Sequence, residues 1–150
     1  MGYYTANGGI AAAATKTPLV LGATAATRFR IQGYSMSTTG TPTSDQGVEM
    51  RIARCTALGT STAFTPLPND PADPASVFTA GQNCSAEPTY TAGGSLQDRA
   101  FNPRATVQWA AYDPRAELIA PATAANGIGF QIIGSGGAAG NVQVDVQVMQ

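Results

Sequence analysis

The stretch "NVQVDVQVMQ", residues 141 to 150, decides the fold: Val142, Val144, Val146 and Val148 fall on one side and Asn141, Gln143, Asp145 and Gln147 on the other. A strict period of two is the mark of a strand with one face on a core and one in water. The same alternation recurs upstream. Phe29, Ile31 and Gly33 oppose Arg28, Arg30 and Gln32; Val48, Met50 and Ile52 oppose Glu49, Arg51 and Ala53. Ala105, Val107, Trp109 and Ala111 oppose Arg104, Thr106, Gln108 and Ala110. Shorter strands are expected at residues 19–21, 62–65, 88–91, 96–101, 117–120 and 128–133.

No window of a dozen residues carries helical periodicity with start and stop signals. Roughly eight to ten short strands broken by Gly and Pro predict an all-β chain, a sandwich or a barrel. Residues 37–47 and the four-proline stretch 66–76 are expected as loops, because proline cannot donate to a ladder. Residues 1–18, "MGYYTANGGIAAAATKTP", are small and polar and are expected as an extended N-terminal arm, with one domain over residues 19–150. On such an arm Tyr3 and Tyr4 are candidate anchors into a neighbouring molecule.

The run Gly134-Ser135-Gly136-Gly137-Ala138-Ala139 fits the G-x-G-x-x-A template of a phosphate-binding loop. That loop works only when a helix follows, whose free N–H groups hold the anion. Here the cleanest strand in the chain follows instead, so residues 134–140 are expected to be a strand connection.

Composition narrows the function. Charged residues make up 11% of the 150, and the net charge is −1, with seven arginines and Lys16 dispersed among nine acids. No basic stripe exists for nucleic acid, and a bland Ala- and Thr-rich exterior suits packing against other protein. There is no histidine, which excludes Ser-His-Asp and Cys-His nucleophile systems and the common zinc sites. Cys55 and Cys84 lack C-x-x-C spacing and are expected as small buried hydrophobes in a reducing cytoplasm, with a disulfide as the alternative. No apolar stretch is long enough to span a bilayer, and no basic start precedes the alanines, so a soluble chain made without export is expected.

Asp70 and Asp73 lie three apart in the proline-rich loop and are expected as turn-forming aspartates, with a weak calcium site including Asn69 as the alternative. Arg54 has the parity of Val48, Met50 and Ile52, so unless a bulge intervenes it is expected to point inward, where it needs a carboxylate or backbone carbonyls because an unpaired buried charge is costly. Glu87 is the candidate partner, for Arg54 or alternatively for Arg104. Trp109, Tyr90, Phe101 and Phe130 sit on apolar strand faces and are expected in the core rather than on a sugar-binding platform. Tyr112 beside Asp113 is the pairing that a carbohydrate-binding loop would use.

Taken in order, "RFRI" (28–31), "MRIARCTALGT" (50–60), "NDPADPAS" (69–76), "AEPTYTA" (86–92), "NPRATVQWAA" (102–111) and "ELIAPATAANGIGFQ" (117–131) resemble a family of tailed-bacteriophage capsid decoration, or cement, proteins with a jelly-roll fold. The resemblance covers most of residues 19 to 133. Members often carry a glycine near positions 114–116, where this chain has Pro114-Arg115-Ala116. It implies a jelly-roll-like antiparallel β-sandwich, a homo-oligomer with a trimer favoured, and a place on the capsid exterior, bridging neighbouring subunits of the major capsid protein. It implies no catalysis and no cofactor. The competing expectation is a carbohydrate- or receptor-binding jelly-roll module of a phage fibre.

Overall fold

A computed structural model describes residues 1–42, 44–135 and 140–150. Twelve strands occur among the described residues: β1 (Tyr3–Ala11), β2 (Leu19–Gly22), β3 (Arg30–Thr38), β4 (Val48–Ala57), β5 (Thr60–Phe64), β6 (Leu67–Pro68), β7 (Thr79–Ala86), β8 (Thr89–Phe101), β9 (Val107–Ala110), β10 (Leu118–Ile119), β11 (Gly127–Gly134) and β12 (Asn141–Met149). They form two antiparallel sheets. The first runs β10-β3-β12-β1-β6, with β9 also paired to β3, and the second runs β5-β7-β2-β11-β4-β8. Part of the connection expected at residues 134–140, residues 136–139, lies outside the described residues.

The two sheets close on one core, as the alternating sequences require. Val142, Val144, Val146 and Val148 of β12 meet Val48, Met50 and Ile52 of β4 and Ile128, Phe130 and Ile132 of β11, all of them buried. Tyr34 donates its hydroxyl to Gln97 Oε1 at 2.6 Å, accepts from Arg99 Nε at 3.2 Å and stacks on Trp109 at 5.2 Å. These contacts tie β3 and β9 of the first sheet to β8 of the second. Burial raises the Tyr34 pKa, against the opposing pull of the Arg99 guanidinium.

The first 18 residues depart from the expected arm. Tyr3 to Ala11 is a strand of the first sheet, paired with β12 in unbroken register from Tyr3↔Met149 to Ala11↔Asn141. Tyr4, Ala6, Gly8 and Ile10 face the core, and at Gly8 a Cβ would collide with the Pro18 carbonyl. Position 8 has no side chain because the chain returns so close to itself there. Just beyond the strand ends, Gly2 and Gln150 exchange two backbone hydrogen bonds of 3.0 Å each.

The second sheet also packs on its outer side. Leu19 and Leu21 of β2 enter the main core, while Val20 joins Cys55 and Cys84 in a second cluster covered by Leu58 and Tyr90. All four residues of β2 are therefore buried. Both cysteines are free thiols. Burial pushes the Cys55 thiol up to about 11 and, with the Glu87 charge adding to the effect, the Cys84 thiol up to about 12.

Candidate functional site

The outward residues of the first sheet form a nearly uncharged face. They are Tyr3, Thr5, Asn7 and Gly9 of β1, Asn141, Gln143, Asp145 and Gln147 of β12, and Gly33, Ser35 and Ser37 of β3. Asp145 is the one charge among these residues, and Arg30, exposed at the start of β3, adds a second at the end of the face. The ladder registers Asn7 with Asp145 and Gly9 with Gln143, and the Gln143 amide occupies the space a Cβ on Gly9 would need.

At one end of this face the sheet is irregular. Gln147 pairs with Gly33 but the next residue, Val148, pairs with Ile31, so Gln32 is the extra residue of a β-bulge. A bulge redirects a side chain that strict alternation would send elsewhere. Gln32 Nε2 donates to Glu117 Oε1 at 3.0 Å, and Arg30 approaches Glu117 Oε2 at 3.4 Å. The Glu117 side chain is only 4% exposed.

A 3-10 turn, Pro114–Ala116, carries the chain from β9 toward Glu117. Asp113 caps it, accepting from Arg115 N at 2.8 Å and from Arg115 Nε at 3.0 Å. The Arg115 guanidinium and then its backbone N–H hold the Asp113 carboxyl below the usual carboxylate range. Between this turn and the sheet lies a groove of about 420 Å³. Its floor is Gly33, Ala110 and Ala111, and its walls are Gln32, Gln147, Glu117, Asp113 and Tyr112. Tyr112 is 93% exposed.

Other residues singled out in the sequence fall as follows. Tyr3 is 45% exposed on the outer face, whereas Tyr4 is 1% exposed. Tyr4 sits edge-on to Phe78 at 5.6 Å and donates to the Pro74 carbonyl at 3.0 Å, so it anchors its own core rather than a neighbour. Arg54 and Glu87 do not pair. Arg54 shares the inner parity of β4, opposite Ile128, but it lies beyond the packed core and is exposed, donating to the Ile119 carbonyl of the other sheet at 3.4 Å.

Glu87 lies on the far side of the second sheet, where it accepts from the fully buried Thr17 hydroxyl at 2.5 Å and faces Lys16 at 4.0 Å. The Thr17 oxygen is 2.8 Å from the Tyr90 hydroxyl, so Tyr90 donates to Thr17 and Thr17 to Glu87. Tyr90 lies over Gly129, where a Cβ would come within 2.5 Å of its hydroxyl. Burial is the main reason its pKa is raised.

Asp70 Oδ1 accepts from Ala72 N at 2.9 Å, the local turn bond expected of it. No group of three or more His, Cys, Asp or Glu side chains suited to a metal occurs among the described residues. Nor is any helix among them long and apolar enough to cross a membrane. Trp109 and Tyr90 are half-buried, and Phe101 and Phe130 are buried. No protein-family model, curated protein or solved structure matches this chain.

Proposed function

We propose that this protein is a structural virion component that decorates the exterior of a tailed-phage capsid and cements it by bridging neighbouring major capsid subunits. In this reading it acts as a homo-oligomer, with a trimer favoured, and performs no catalytic step. Three features support the reading. The ordered phrases of residues 19 to 133 resemble the decoration family. The strand orders β9-β3-β12-β1 and β2-β11-β4-β8, with the chain changing sheets at every step among these eight strands except from β4 to β8, fit the two Greek keys of a jelly roll.

The observation that carries the reading is the uncharged half-face around Gly9, Ser37, Asn141 and Gln143, beyond the Asp145–Ser35 pair. Its amide and hydroxyl groups satisfy a protein partner without desolvating charge, and interface cores are depleted of charge for that reason. Repetition on a lattice turns modest single contacts into tight attachment through effective concentration.

The test is co-sedimentation of the purified protein with heads assembled from the major capsid protein, alongside light scattering of the protein alone. The reading expects a stable oligomer that pellets with heads, and a Ser37→Lys variant that folds but pellets less. A monomer that stays in the supernatant would refute it.

A further inference from the structure

We propose that the groove under Tyr112 is a binding site for a neutral, hydroxyl-rich saccharide. The inference goes beyond the capsid reading and does not depend on it. The groove lies about four residues along the strands from the uncharged patch, on the order of 13 Å away, so the two surfaces can be occupied separately.

Charge balance selects the ligand class. Each carboxylate of the groove already has its own arginine, Glu117 with Arg30 at 3.4 Å and Asp113 with Arg115 at 3.0 Å. The groove therefore has no net pull on a cation or an anion. What remains is neutral hydrogen-bonding capacity. Gln147 Oε1 accepts from Asn69 Nδ2 at 3.2 Å and from Thr5 Oγ1 at 3.4 Å, which leaves its Nε2 without a protein partner among the described residues. Gln32 uses Nε2 toward Glu117 and leaves its Oε1 open in the same way. One open donor and one open acceptor beside a fixed carboxylate match the donor-and-acceptor character of vicinal hydroxyls.

Shape adds to this. Gly33, Ala110 and Ala111 make a floor without bulk, and the Tyr112 ring stands exposed at the wall. An aromatic face packs against the C–H face of a sugar ring while its hydroxyl stays wet. The volume of about 420 Å³ lies within the roughly 300–1,000 Å³ of small-ligand clefts. The bulge supplies the positioning, because without the extra residue Gln32 would not share the outer side with Gly33 and Gln147.

The experiment is a titration of the isolated, isotope-labelled protein with maltose, cellobiose, lactose and chitobiose to about 10 mM, followed by amide NMR shifts. At least one of these disaccharides is expected to move the backbone amides of Gly33, Tyr112 and Gln147 and the side-chain amides of Gln32 and Gln147. Tyr112→Ala should weaken that binding about tenfold or more, while Tyr112→Phe keeps it within about twofold. Tyr112 is exposed, so an unchanged melting temperature verifies that the variants fold. The proposal is overturned if none of the four moves these amides, if Tyr112→Ala binds like the parent, or if only calcium chloride or sodium sulfate moves them.

Discussion

Replacing Tyr4 with alanine separates a strand of the core from a free arm, and its cost can be worked from the contacts. The ring is 1% exposed and packs edge-on against Phe78 at 5.6 Å. Truncating a buried aromatic to alanine costs about 3–5 kcal/mol in transfer and cavity terms. The hydroxyl bond to the Pro74 carbonyl contributes about 1 kcal/mol more. For a domain of this size each kcal/mol lowers the melting temperature by about 2–4 °C, so Tyr4→Ala should lower it by roughly 8–24 °C. Tyr4→Phe, which removes only the hydroxyl bond, should cost about 1 kcal/mol. Tyr3→Ala, on the outer face, should cost about 0.5 kcal/mol or less. Urea unfolding at one fixed protomer concentration measures all three, through the midpoint at constant m-value. If Tyr4→Ala and Tyr3→Ala agree within about 0.5 kcal/mol, residues 3–11 are not part of the sandwich and the reasoning fails.

Two further outcomes can be measured on the same protein. Arg54→Ala and Glu87→Gln should be additive within about 0.5 kcal/mol in a double-mutant cycle, because the two side chains lie on opposite sides of the second sheet; a coupling above about 1 kcal/mol would restore the direct pair. The thiols predict an alkaline weakness. Both have folded pKa values raised from about 9, to about 11 for Cys55 and about 12 for Cys84, so between those limits the native state holds protons that the unfolded chain has released. Their contribution is complete below about pH 9 and is lost as the pH rises toward 12. Urea midpoints taken at rising pH should therefore fall more steeply in the parent than in a Cys55→Ala, Cys84→Ala variant, and parallel slopes would contradict the assignment.

The strands with large alternating residues, β4, β11 and β12, could be read from sequence because each inward position within the packed core carries a Val, Ile, Met or Phe. β1 alternates just as strictly, but Ala6 and Gly8 take inward places, and hydrophobic patterning does not register small residues as core. What excludes a side chain at Gly8 is a tertiary contact, the nearby Pro18 carbonyl, which no local window contains. β7 has a polar, small-residue sequence and a left-handed Asn83 (φ 53°) in its course, so it carried no period at all. The sequence reads as two pieces here, 88–91 and 96–101; β8 runs through both as one edge strand, with Gly93 at φ 66° and irregular pairing with β4 between them.

The candidate groove was half legible. Tyr112 beside Asp113 stood out in the sequence, while Gln32, Gln147 and Glu117 did not. Their convergence depends on a bulge, and one inserted residue leaves no trace in a pattern of period two. Arg54 shows the reverse case: its parity was read correctly, but parity says nothing about where along a strand the packed core stops.

The two hydrogen bonds between Gly2 and Gln150 bring the ends of the described chain to a single point on the rim of the first sheet. Whatever is fused before the first of these residues or after the second emerges from the same place, so a tag moved from one end to the other gains no new geometry. Joining the ends needs only a short linker with little closure entropy. Reopening the ring in the exposed loop between β3 and β4 would then give a permuted chain with the same sandwich and its termini at the opposite end of the sheet, where a cargo for display could be attached independently.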